Sequence, residues 1–75
     1  MNKRELGKPV TLKLCDRMRE LREDHDLRQR EIAELLHVDR STYAHYESGR
    51  TQPDYESLVK LANFYNVSLE YLLGV

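Results

Sequence analysis

Seventy-five residues make one small domain, with a core so limited that partner contacts can matter to its stability. Hydrophobic content of 40% with only three glycines and two prolines favours an ordered helical domain over disorder, and twelve basic against thirteen acidic side chains exclude the uniformly basic composition of a simple polyanion binder. The single cysteine, Cys15, has no partner for an internal disulfide, and no apolar run reaches the length of a signal peptide core or a membrane span, so a reducing cytoplasm is the expected compartment.

In chain order, residues 1–11 contain Gly7 and Pro9 and no helical stripe, and are expected to form a flexible N-terminal arm. Lys3, Arg4 and Lys8 can add phosphate or minor-groove contacts; a frayed terminus and short β-structure are the competing readings. The folded domain is expected over 12–75. A first helix is predicted from about Leu12 to His25, with Leu14, Met18, Leu21 and His25 toward the core and Cys15 beside them as a small buried hydrophobe. Glu20, Glu23, Asp24 and Asp26 gather near its end, where they oppose the helix dipole.

A second helix is predicted from Gln29 to about Leu36, with Ile32, Ala33 and Leu36 on one side and an Arg30–Glu34 pair one turn apart. Arg28 precedes it and is not a side-chain cap. Asp39 then fits the N-cap of a third helix, Arg40–Ser48, with Val38 and Tyr43 at the positions of a hydrophobic staple. Two short helices joined by three or four residues read as a helix-turn-helix, whose second helix can enter a major groove. At about 100° per residue, Arg40, Ser41, Ala44, His45 and Ser48 share one arc, and Thr42, Tyr43, Tyr46 and Glu47 the other. The first arc is lean, with two long donors, Arg40 and His45, among short side chains. The plainer reading of such an arc is a solvated face.

Gly49 is expected to end the third helix in the left-handed conformation, followed by a loop from Arg50 to Pro53. Asp54 caps a fourth helix running to about Tyr65, with Leu58, Leu61, Ala62 and Tyr65 buried and Glu56–Lys60 as an exposed pair. Ser68 caps a short fifth helix, with Val67 stapling onto Leu72. Leu69, Leu72, Leu73 and Val75, with Phe64, Tyr65 and Tyr71 nearby, offer more apolar surface than one short helix buries.

The segments L-R-Q-x-E-I-A-E-L-L from Leu27, V-D-R-S-T-Y-A-H-Y-E-S-G-R from Val38, L-V-K-L-A from Leu58 and V-S-L-E-Y-L-L from Val67, with Leu21, Arg22 and Pro53, carry a resemblance. From Leu14 to Leu73 the chain resembles the lambda-repressor/Cro-like helix-turn-helix family, the xenobiotic-response-element type. The resemblance implies an all-α, compact five-helix domain with the helix-turn-helix at helices 2 and 3, binding double-stranded DNA. It implies base contacts from Arg40, Ser41, Ala44 and His45, and phosphate contacts from Arg28, Gln29, Thr42, Ser48, Arg50 and Gln52. Arg22 and Glu47 match a partly buried ion pair tying the first helix to the third. Asp26 and His37 stand where the family often has glycine.

The function these readings support is a sequence-specific transcriptional regulator of the repressor type, a homodimer joined through the C-terminal helix on a pseudo-palindromic operator, in the cytoplasm and associated with the nucleoid. A protein-interaction module of the same fold, such as an antitoxin or a partner that sequesters a regulator, is the alternative, favoured by the near-neutral charge. An enzyme is not expected: no phosphate-cradling glycine loop, paired-carboxylate pocket or nucleophile with a base is visible. His25, His37 and His45 lack metal-ligand spacing, and no metal, cofactor, membrane or small-molecule substrate is expected.

Overall fold

The computed structural model describes residues 10–75 as five helices: α1 Val10–Asp24, α2 Gln29–Leu36, α3 Arg40–Ser48, α4 Tyr55–Tyr65 and α5 Leu69–Leu73. The basic positions Lys3, Arg4 and Lys8 of the expected arm lie outside the described residues. Val10 and Thr11, assigned to that arm, belong to α1. Two β-branched residues lower helix propensity by only a few tenths of a kcal/mol, too little to stop a helix whose following turns are buried.

One core joins all five helices: Leu14, Met18 and Leu21 from α1, Ile32, Ala33 and Leu36 from α2, Tyr43 from α3, Leu61, Ala62 and Tyr65 from α4, and Leu72 from α5. The apolar stripes therefore point where helical periodicity puts them. α1 packs against α3 and α5, α2 against α3, and α4 against α5, so the first helix is the post on which the helix-turn-helix and the C-terminal pair are hung. Ser57 is buried on α4 as well, and Leu58 is only half-buried.

Each helix ends in the same way. Asp26, His37, Gly49, Asn66 and Gly74 take left-handed conformations, with φ between 55° and 82°. The amide of the following residue reaches back five residues, as in Leu27 N–H to the Arg22 carbonyl at 3.0 Å and Val38 N–H to Ala33 at 3.0 Å. This Schellman closure satisfies carbonyls that a helix end would leave bare. Leu27, Val38 and Val67 follow the left-handed residue and pack on the core. After α3 the equivalent residue is Arg50, which is exposed.

At the N-termini, the Asp54 carboxylate accepts from Ser57 N–H at 2.8 Å and the Ser68 hydroxyl from Tyr71 N–H at 3.0 Å, as expected. Asp39 differs. It stands at the N-cap of α3, yet its side chain accepts no cap bond, and its carbonyl alone takes Tyr43 N–H at 3.0 Å. An exposed carboxylate stays hydrated and leaves the first-turn amides to water at little cost. α2 has the reverse arrangement: Arg28 has no acceptor to offer, but the Glu31 carboxylate returns to the Arg28 amide at 2.9 Å, half of a capping box.

Two further expectations are corrected. α1 stops at Asp24, because the left-handed turn at Asp26 closes the helix there, so His25 is exposed rather than core-facing; its ring lies over Tyr65, 5.1 Å between centroids. The Arg30–Glu34 and Glu56–Lys60 pairs do not close, whereas Arg19–Asp16 does at 3.2 Å. Exposed helical pairs are worth about 0.3–0.5 kcal/mol, comparable to the side-chain entropy they cost.

Candidate nucleic-acid interface

Beneath α3 lies a buried carboxylate. Glu47 is 5% exposed, on the same side of the helix as the fully buried Tyr43 one turn earlier. Arg22 of α1 donates to it twice, Nε to Oε2 at 2.6 Å and Nη2 to Oε1 at 3.1 Å, and sends its third donor, Nη1, to the Leu27 carbonyl at 2.9 Å. One guanidinium thus pins the α1–α2 turn and the base of α3 together. The Tyr43 hydroxyl donates to Oε2 at 2.5 Å, and Gln29 Nε2 to Oε1 at 3.2 Å. Burial alone would raise the Glu47 carboxyl, but the donors from Arg22, Tyr43 and Gln29 outweigh it and hold the group below the ordinary carboxylate range. Burial and the same carboxylate push the Tyr43 hydroxyl far upward, and the bond to Glu47 raises Arg22.

The expected Arg22–Glu47 pair is therefore present, with Tyr43 as an additional partner that was missed. The i, i+4 spacing of Tyr43 and Glu47 was the available signal.

Above this network, α3 turns Arg40, Ser41 and Ser48 outward, with Ala44, His45 and Thr42 partly exposed between and beside them. Arg40 Nη1 donates to Gln29 Oε1 at 3.0 Å. Arg22, Leu27, Arg28, Gln29, Arg30 and Arg40 line an open cleft of about 490 Å³ at the N-terminus of α2. Four arginines line it, of which Arg22 is already engaged by Glu47 and the Leu27 carbonyl, beside first-turn amides of Gln29 and Arg30 that have no intrahelical acceptor. The cleft offers an anion both charge and directed N–H groups. Arg30 belongs to this cluster, a role that its expected pairing with Glu34 had hidden.

Arg50 and Gln52 are exposed in the loop after α3, and Ser48 Oγ donates to the His45 carbonyl at 3.1 Å while accepting from Arg50 N–H at 3.4 Å. The Ser48 proton is thus engaged within the helix end, and the exposed hydroxyl has to rotate away from the His45 carbonyl before it can donate to a phosphate.

Cys15 is buried and donates to the Tyr46 carbonyl at 3.3 Å. Burial, then the neighbouring Asp16, push its thiol up, the opposite of an activated nucleophile. Among the described residues no group of three His, Cys, Asp or Glu side chains is placed to hold a metal ion, and no helix is long and apolar enough to cross a membrane.

The family model described as "Helix-turn-helix" matches residues 18–72. The chain is 40% identical over 63 residues to the HTH-type transcriptional regulator ImmR of Bacillus subtilis, covering 84% of this chain and 50% of that protein. It is 40% identical over 58 residues to the cryptic phage CTXphi transcriptional repressor RstR of Vibrio cholerae, covering 77% of this chain and 52% of the other. A crystal structure of a transcriptional regulator from Listeria innocua superposes with a TM-score of 0.81 at 39% identity, over 83% of this chain and 58% of that one. The chain spans about half the length of the curated relatives it matches.

Proposed function

Because the chain belongs to the helix-turn-helix family of the Cro/C1 type, we propose that it is a sequence-specific DNA-binding regulator, acting as a repressor, that reads the major groove with α3. The observation that carries the reading is the division of α3. Tyr43 and Glu47 are sealed against α1, while Arg40 and Ser41, with Ala44 and His45 behind them, face away from the core on a lean surface that base edges can approach.

Arg40, Ser41, Ala44 and His45 make the base contacts. Arg28, Gln29, Thr42, Ser48, Arg50 and Gln52 hold the phosphates that flank them, with Gln29 contributing its helix-terminal amide. The exposed Phe64, Tyr71 and Val75 on α4, α5 and the terminus beyond it support a two-fold contact, which sets two copies of α3 about one turn of DNA apart on a pseudo-palindromic operator. The protein works in the cytoplasm, on the nucleoid.

The net charge of −1 favours the second reading, a protein-interaction module. One experiment separates them. Binding to DNA upstream of the protein's own gene is measured at several salt concentrations for the wild type, Arg40→Ala and Arg50→Ala. A regulator loses base selectivity with Arg40→Ala and weakens uniformly, with a shallower salt slope, with Arg50→Ala. Absence of any sequence preference in the wild type refutes the DNA-reading function.

A further inference from the structure

Among the described helices, α3, α4 and α5 begin on a residue whose side chain is able to cap them, and in α3 it does not. Asp54 (φ −74°, ψ 171°) and Ser68 (φ −74°, ψ 157°) each accept a first-turn amide, whereas Asp39 (φ −69°, ψ 152°) has the same extended backbone and its side chain accepts none. We infer that Asp39 is a specificity-determining residue: its free carboxylate accepts the exocyclic amino group of a cytosine in the operator and rejects base edges that present an acceptor there. The inference rests on the DNA-reading proposal and adds to it a residue that selects by exclusion.

Asp39 is exposed and stands one residue before Arg40, at the leading end of the reading helix. The adjoining Arg40 guanidinium donates to Gln29 Oε1 at 3.0 Å, not to Asp39, and Asp39 enters none of the described ion pairs. An ionised carboxylate only accepts. In a major groove its partners are therefore the amino groups of cytosine and adenine, and it meets guanine O6 and N7 or thymine O4 as acceptor against acceptor. Adenine sets N7 beside its amino group, where the second carboxylate oxygen would face it; cytosine N4 has no such neighbour, and that makes cytosine the preferred base. Successive Cα atoms lie about 3.8 Å apart and successive base pairs about 3.4 Å apart, so neighbouring residues match neighbouring pairs: Arg40 reads one and Asp39 the next. A carboxylate that gives up its water in the groove and finds no donor carries the whole desolvation penalty, and the selectivity follows from that penalty more than from the bond to cytosine.

The test uses duplexes selected by the wild-type protein from a randomised library. The pair read by Arg40 is the one at which Arg40→Ala abolishes discrimination, and the wild type should enrich cytosine at a pair adjoining it. Selectivity at that pair is the Kd for duplexes carrying guanine or thymine in place of cytosine, divided by the Kd for cytosine. Asp39→Ala is expected to lower this ratio roughly 5-fold, mainly by binding the guanine and thymine duplexes more tightly than the wild type does. Asp39→Asn, which both donates and accepts, is expected to move the preference there toward adenine. Neither change removes a side-chain hydrogen bond described above, and circular dichroism checks that both variants are folded at the assay temperature. An Asp39→Ala protein that binds every duplex more tightly by one factor has lost only repulsion from phosphates, and one that binds every duplex more weakly by one factor has lost a cap closed on the DNA. Either result, or an unchanged ratio, overturns the inference while leaving DNA reading intact. A wild type that selects no sequence overturns both.

Discussion

Glu47→Ala tests the physical account of this fold most severely. The substitution removes an acceptor that takes four hydrogen bonds, and it strands the Arg22 guanidinium, whose side chain is 14% exposed, and the hydroxyl of Tyr43, which is 0% exposed. Breaking one side of a buried charge pair costs about 3–5 kcal/mol. A domain of this length has roughly 4–11 kcal/mol in total. At about 4–8 °C per kcal/mol for a domain of this size, Tm should fall by roughly 12–40 °C. Thermal and urea denaturation followed by circular dichroism measure it, with Glu20→Ala as the control: its ion pair to Arg17 spans 3.7 Å between side chains 37% and 57% exposed, and its loss should cost no more than about 0.5 kcal/mol. The triple variant Arg22→Met/Tyr43→Phe/Glu47→Leu, which removes both charges and the Tyr43 hydroxyl together and leaves only the Leu27 carbonyl and the Gln29 amide without their partners in this network, should recover part of the loss. The pH dependence has a defined sign. Glu47 titrates below its ordinary value of 4.5 when folded, so its stabilisation is complete above about pH 4.5 and disappears as pH falls through the lowered value; Glu47→Ala should lack that acid limb. A Glu47→Ala protein that melts within about 3 °C of the wild type would refute the reasoning.

The left-handed helix ends provide an opposite test: His37, at φ 59°, has a side chain that glycine does without, so His37→Gly should raise stability by about 0.5–1 kcal/mol, read as a Tm increase of a few degrees, and no gain would show the strain to be absent. Gly49→Ala should lose about 1–2 kcal/mol, since φ is 82° and the new Cβ would lie 3.3 Å from Cys15 Sγ; Cys15→Ala should restore little of it, because the backbone carries the larger part. The Tyr65 hydroxyl is buried without a partner, so Tyr65→Phe should hold or raise stability by up to about 1 kcal/mol, whereas Tyr43→Phe should lose about 1–2 kcal/mol with its bond to Glu47. Burial pushes Tyr65 up to about 12, so the unfolded chain releases that proton first and stability should fall between pH 10 and about pH 12; alkaline denaturation of Tyr65→Phe should show a shallower fall.

By itself the sequence determined whatever lies within one helical turn of its cause. The stripes Ile32, Ala33, Leu36 and Leu61, Ala62, Tyr65, the caps at Asp54 and Ser68, and the left-handed stop at Gly49 were all legible, because periodicity, an acceptor one turn from a bare amide and a missing Cβ act over three to five residues. Only the tertiary structure decided how the polar groups were shared. Arg22 and Glu47 stand 25 residues apart and were paired in advance by family resemblance, not by spacing. That Tyr43 completes the pair, that Gln29 turns its oxygen outward to Arg40, that Arg30 joins a cleft rather than Glu34, and that Asp39 leaves its cap unfilled each depend on competition among several donors and acceptors brought together by packing. A sequence pattern says which face of a helix is buried; which lone pair meets which proton is settled only once five helices share one core.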